Sequence, residues 1–331
     1  MPKIVRHGTR VGGDALSIRI VAPPERRASR GSVFVPPLIG GSGMQQVGYF
    51  RELNRRGYRL VTFDYRGHGK SGGRFFVRNT IEDARAVLEE LRGEFAGEPL
   101  FGVADCFGCI PLLCAAAERP EAFRALALFN PIPSLQHVAG PREVLANYFL
   151  PRDGSGARRL ALRNPFDLRG MLYATNQRLF PGVDKSRDHF GILRYTRART
   201  WLATWEYLSS RPLAGVVSAV PALVCFGRSD RLLGLEDPAA EERYRALWLR
   251  HLPRCEVRVL ADVDHYWTGT QARASVAAAD FFERGGAVAN ALPGSTLAPR
   301  ARYRDPGEAP GRKNQLGGWS RSSGLKRASG R

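Results

Sequence analysis

Apolar residues along this chain fall into short runs separated by stretches of helical spacing. Residues 1–22 alternate in short apolar pieces and predict an opening hairpin. "GSVFVPP", 31–37, reads as a short buried strand closed by two prolines, and 45–56 reads as a helix. "YRLVTFDY", 58–65, is the next strand. "RNTIEDARAVLEELRGEF", 78–95, has helical spacing, with Asn79 or Thr80 as its N-cap. A strand at 99–105, a helix at 107–119 and the strand "RALALFNP", 124–131, follow. The rhythm resumes with "PALVCFGRSD", 221–230, a helix over 238–251, the strand "EVRVLADVD", 256–264, and a helix over 271–284. Strands alternating with helices predict a mostly parallel sheet covered on both faces.

Two segments break this rhythm. Residues 132–212 are rich in arginine and aromatics, and "ILRYTRARTWLATWEYL", 192–208, carries Leu193, Trp201, Leu202, Trp205 and Leu208 close to helical spacing. Such a stripe packs a helix onto its neighbours more often than it touches a substrate. From residue 285 the chain is rich in Gly, Pro, Ser and Arg with few apolar residues, and it reads as a solvated basic tail.

Composition narrows the class. A chain of 331 residues can bury one large core or two modest ones. No run of about 18 apolar residues occurs, so no membrane span is expected. The start, "MPKIVRHGTRVGGD", lacks an apolar core and a cleavage site and is not expected to be a secretory signal. Five cysteines, an odd number without framework spacing, suit a reducing cytoplasm and free thiols. The net charge of +19, carried mainly by arginine, favours anionic partners such as coenzyme A, an acyl-carrier protein or acidic lipid. Nucleic acid is not the expected partner, and composition is silent on oligomeric state. No cofactor is expected, and no Cys, His and carboxylate cluster has zinc-ligand spacing.

The candidate chemistry begins in "FGVADCFGCIPLL", 101–113. Ala104-Asp105-Cys106-Phe107-Gly108 fits a small-x-nucleophile-x-small turn between strand and helix, where larger neighbours would collide. A thiol there sits at the positive end of a helix, which favours its thiolate. Asp230 follows the strand "ALVCFG", and His265 follows "EVRVLADVD". Nucleophile, acid and histidine thus each come just after a strand's carboxyl end, where ligand sites of open parallel sheets lie. Asp264, Asp262 and Asp237 compete with Asp230 for the acid role, whereas His265 alone among six histidines follows a late strand in this order. Asp105 beside the thiol is awkward, and it is expected to point away or to pair with an arginine.

Two decoys compete with this reading. A literal Gly-x-Ser-x-Gly occurs at Gly69–Gly73, but the preceding strand ends several residues earlier, so Ser71 is not expected to be the nucleophile. Cys106-Phe-Gly-Cys109 also fits a redox pair, which would leave Asp230 and His265 unexplained. Cys114, Cys225 and Cys255 lie in or beside apolar strings and read as packing residues.

With these residues in view, the chain resembles the α/β-hydrolases over roughly residues 15–284. "VFVPPLIGGSG" resembles the family's oxyanion loop and "YRLVTFDYRGHGKSGG" its D-x-R-G-x-G-x-S turn. The resemblance implies an α/β-hydrolase core over 1–131 and 213–284 and a helical cap insertion over 132–212, and composition leaves 285–331 as a disordered basic tail. It implies a Cys106–His265–Asp230 triad, with an oxyanion hole formed by the N–H of Phe107 and one from Leu38 or Ile39. Cysteine replaces the usual serine at the elbow, a feature shared with dienelactone hydrolases, polyhydroxyalkanoate synthases and some thioesterase-like acyltransferases. The expected function is acyl transfer through a covalent thioester, on an ester or thioester substrate. A non-catalytic binding protein of this fold and a Cys-x-x-Cys redox protein are the alternatives.

Overall fold

The computed structural model describes residues 3–24, 29–38, 42–134, 211–230, 233–235, 237–265, 267 and 270–286. Most of the expected cap and tail, and the aromatic stretch 192–208 with them, lie outside the described residues.

Eight strands form one sheet in the order β1-β2-β4-β3-β5-β6-β7-β8. β1 (Ile4–Val11) and β2 (Asp14–Val21) make the predicted hairpin, and β2 runs antiparallel to β4 (Arg59–Phe63). From β4 onward every pairing is parallel, through β3 (Ser32–Val35), β5 (Leu100–Asp105), β6 (Ala125–Phe129), β7 (Ala222–Gly227) and β8 (Cys255–Leu260). β3, β5, β6 and β7 are buried at every position, as strands covered on both faces must be. β1 is largely exposed because it is the sheet's edge.

The helices divide between the two faces. The core on one side is built by α1 (Gly43–Tyr49), α2 (Arg51–Arg55) and α6 (Gln271–Glu283). Their Val47, Phe50, Leu53, Ala274, Ala278 and Phe281 pack on Val35, Val103, Ala127 and Phe129. α3 (Asn79–Glu90) packs with α4 (Cys109–Glu118), and α4 packs on β5. α5 (Pro238–His251) packs beside β8. α5 falls on its predicted span because its start is written locally: Asp237 accepts the Ala239 N–H at 3.0 Å, and Pro238 occupies the first turn.

Two local expectations need correction. The helix predicted over 45–56 is two helices, broken at Phe50, whose ring is fully buried. α3 begins at Asn79, so Arg78 holds the cap position instead of Asn79 or Thr80. The Thr80 hydroxyl is spent on the Val77 carbonyl at 2.6 Å, a local bond that spacing does not reveal.

The turn after β4 fastens this half of the sheet. Asp64 is fully buried and accepts from Arg19 Nη2 at 2.7 Å, the Gly43 N–H at 3.0 Å and the Lys70 N–H at 3.0 Å. Gly69, at φ +46°, lies so close to this carboxylate that a Cβ would overlap it. Ser71 is buried here too: its Oγ donates to the Asp64 carbonyl at 2.5 Å and accepts the Ser17 N–H at 2.9 Å. Asp64→Ala would strand Arg19 and two backbone donors in the interior. Loss of one partner from a buried pair typically costs about 3–5 kcal/mol, so urea unfolding of this variant is expected to show a loss of that order. A loss below about 1 kcal/mol would contradict the role assigned to the turn.

Candidate active site

The strand order reverses between β3 and β5, because β3 leads outward to β4 on one side and pairs with β5 on the other. Loops leaving the carboxyl ends of such neighbours diverge and leave a crevice. The loop after β3 begins Pro36-Pro37-Leu38, and the turn after β5 holds Cys106.

Cys106 has φ +50°, a left-handed conformation rare for a residue with a side chain. Residues 106–108 then form one turn of 3₁₀-helix that leads directly into α4. Small neighbours make this possible. A Cβ on Gly108 would lie 3.0 Å from the Pro36 carbonyl oxygen, 3.3 Å from that of Pro37 and 3.6 Å from Ala104 Cβ. A Cβ on Gly102 would strike Leu112 at 2.6 Å. Pro111 falls in the first turn of α4, where proline is tolerated.

Around this turn the structure brings three of the predicted residues together. Cys106 Sγ lies 3.3 Å from His265 Nε2, and His265 Nδ1 lies 2.7 Å from Asp230 Oδ2. The tautomer that donates Nδ1–H to the carboxylate leaves Nε2 facing the sulfur as an acceptor. The second Asp230 oxygen, Oδ1, accepts the Leu233 N–H at 2.9 Å, so both carboxylate oxygens have partners. Asp230 and His265 are buried, while Cys106 is half-exposed. Burial works to lower the His265 pKa, but the Asp230 charge and the Cys106 sulfur outweigh it and hold the imidazole well above its ordinary value. Among the acid candidates it is Asp230 that takes the imidazole's Nδ1, while Asp237 caps α5.

The other predicted residues are placed as follows. Phe107 is the second residue of the 3₁₀ turn, where helical N–H groups lack partners within the helix. Leu38 is half-buried, two residues beyond the Pro36 carbonyl that abuts Gly108. Ile39 lies outside the described residues. Cys109 is buried, its thiol 3.9 Å from the Phe129 carbonyl, and both it and Cys106 are free. Of the two arrangements expected for Asp105, pairing with an arginine does not occur among the described residues, and its Oδ1 has no hydrogen-bond partner. It is the last residue of β5, and the strand's alternation directs it, with Phe101 and Val103, to the α1–α6 face.

Sequence reasoning missed Asn130. It is fully buried at φ +40°, just beyond β6. Its Nδ2 donates to the carbonyls of Asp264 at 2.9 Å and His265 at 2.8 Å, and its Oδ1 accepts the Gly227 N–H at 2.9 Å. One side chain therefore ties the loop of the imidazole to the strand that leads to Asp230. The available signal was the Asn-Pro pair ending "RALALFNP", an ordinary turn mark whose long-range partners no local pattern reveals.

A family model described as Serine aminopeptidase, S33, matches residues 39–247. The chain belongs to this family. This S33-type α/β-hydrolase is 30% identical to the lysophosphatidylserine lipase ABHD12 of Gallus gallus over 115 residues, covering 32% of this chain and 29% of that protein. It thus spans less than a third of the length of the curated relatives it matches. The haloalkane dehalogenase DbeA of Bradyrhizobium elkani superposes with a TM-score of 0.52 at 18% identity, covering 86% of this chain and 99% of the other. The thioesterase domain from the curacin biosynthetic pathway does so with 0.52 at 18%, covering 85% and 99%. These likenesses show the fold, which hosts many chemistries, and leave the reaction to be argued from the site.

The thiols of the S33-type hydrolase differ sharply in accessibility. Burial raises Cys114, Cys225 and Cys255 to about 12 and Cys109 well above its ordinary value. Iodoacetamide on the native protein at neutral pH is therefore expected to label Cys106 first and nearly alone, as read by peptide mass mapping. Comparable labelling of any of the other four would contradict this picture.

Proposed function

We propose that this protein is an acyl-transfer enzyme that works through a covalent acyl–Cys106 thioester. The observation that carries this reading is the contact chain Cys106 Sγ to His265 Nε2 at 3.3 Å and His265 Nδ1 to Asp230 Oδ2 at 2.7 Å. Nucleophile and base lie close to hydrogen-bond reach, and the base is oriented by a third group.

In the first half-reaction the Cys106 thiol proton passes to His265 Nε2, and a bond forms from sulfur to the substrate's carbonyl carbon. The raised proton affinity of His265 favours this transfer, because the Asp230 carboxylate stabilises the imidazolium. The carbonyl oxygen becomes an oxyanion, held by the N–H of Phe107 and one from Leu38 or Ile39. Pro36 and Pro37 have no N–H, so Leu38 is the first main-chain donor this loop can offer. Removing one such donor typically costs about 10²–10³ in rate. Collapse then breaks the bond to the alcohol or thiol leaving group, which takes the proton from His265. In the second half-reaction water, an alcohol or an amine gives a proton to His265 and attacks the thioester, and Cys106 leaves as the thiol.

Ester and thioester substrates suit this sequence, and the family's hydrolase character agrees with it. The net charge of +19 suits an acyl group carried on coenzyme A or an acyl-carrier protein.

Intact mass spectrometry after mixing with a panel of acyl thioesters and activated esters tests this reading. The protein and its Ser71→Ala variant are expected to gain the mass of the acyl group, and Cys106→Ala is expected to gain none. An adduct that survives in Cys106→Ala, or vanishes in Ser71→Ala, would overturn the assignment.

A further inference from the structure

Of the strands β5 to β8, β6 is the one whose end supplies no reacting group. Cys106 follows β5, Asp230 follows β7 and His265 follows β8. β6 lies between β5 and β7 and is followed by Asn130-Pro131. Bonds from the surrounding elements converge on this pair. The Asn130 N–H donates to the Cys225 carbonyl of β7 at 2.8 Å, and the Asn130 side chain meets Gly227, Asp264 and His265. The Tyr244 hydroxyl of α5 donates to the Pro131 carbonyl.

We propose that Asn130 is a positioning residue for the Cys106–His265 pair: its amide holds the main chain of His265 where the imidazole reaches the sulfur. This deepens the acyl-transfer reading and rests on it.

Two observations separate this role from general support of the fold. The loops after β7 and β8 are already joined without Asn130. The Ser229 N–H donates to the Val263 carbonyl at 3.1 Å, and its Oγ donates to the Ala261 carbonyl at 3.1 Å. Those bonds lie upstream of the imidazole, whereas the 2.8 Å bond from Asn130 Nδ2 falls on the His265 carbonyl itself. The reach is also tight at both ends of the ring. Nε2 stands 3.3 Å from Cys106 Sγ while Nδ1 stands 2.7 Å from Asp230 Oδ2. A main-chain shift of about 1 Å would break one contact or the other, and misplacement on that scale can cost about 10²-fold in rate.

The three partners require an amide. Two carbonyls need two donors, and the Gly227 N–H needs an acceptor; one planar asparagine side chain offers both. An aspartate would set lone pairs against two carbonyl oxygens. Asparagine also tolerates φ +40° better than most side chains. Glycine tolerates it as well, so Asn130→Gly deletes the three side-chain bonds while leaving the backbone conformation open.

The test compares wild type, Asn130→Gly, His265→Ala and the double variant. The rate of Cys106 acylation by an activated thioester is followed by intact mass, below the melting temperature of each protein. Asn130→Gly is expected to acylate about 10–10²-fold more slowly than wild type. In the His265→Ala background the same substitution is expected to change the rate by less than about twofold, because the amide acts through the imidazole. Support of the fold or of the Cys106 turn would instead slow both backgrounds alike. An Asn130→Gly rate within about twofold of wild type, or an equal loss in both backgrounds, would overturn the proposal. Should the glycine variant not fold, Asn130→Asp keeps the shape and the acceptor, loses the two donations, and is expected to show the same pattern. A His265→Ala protein that acylates at the wild-type rate defeats the triad reading and this inference with it. A slowed His265→Ala beside an unimpaired Asn130→Gly defeats this inference alone.

Discussion

The left-handed turn at Cys106 is the constraint on which the site depends. A side-chain-bearing residue at φ +50° costs on the order of 1–3 kcal/mol and persists only where its surroundings over-determine it. Here they do. Gly108 lies against the carbonyls of Pro36 and Pro37, Gly102 beneath Leu112, and Asp105 pairs with Phe129 between two fully buried strands. Relaxing the turn would mean displacing the loop after β3 or the first turn of α4. Held this way, the sulfur is half-exposed above the sheet while the residues on either side are buried.

The imidazole and the carboxylate reach that sulfur because the last loops are tied to each other as well as to the sheet. Gly227 ends β7 so close to the Val263 carbonyl that any Cβ would overlap it. Asn130 bonds both loops from below, and Trp267, itself at φ +53°, anchors the chain after His265 against Phe129. Strain at 106, 130 and 267 is thus clustered around the Cys106 sulfur, the imidazole and the carboxylate, and the regular strands beneath them supply the packing that sustains it.

Most of the architecture was legible in the chain because its signals are local. Buried strands announce themselves as short apolar runs, and α5 starts where an aspartate and a proline say it should. The order of Cys106, Asp230 and His265 was legible for a different reason: parallel topology brings strand ends together, so position after a strand substitutes for distance. What stayed hidden depends on partners far along the chain. Asn130 reads as a turn residue until its bonds to 227, 264 and 265 are seen, and the break at Phe50 comes from a ring drawn into a core that no helical period encodes. Asp105 shows the same limit, since strand alternation gives its direction but not that its Oδ1 finds no hydrogen-bond partner among the described residues.

The central claim is that these three side chains operate as one unit, and such units are grossly non-additive. The most direct measurement is the rate of Cys106 acylation by an activated thioester in His265→Ala, in Asp230→Ala and in the double variant. The account predicts that the double variant is no slower than His265→Ala alone, because the carboxylate acts only through the imidazole. Losses that multiply in the double variant would contradict it.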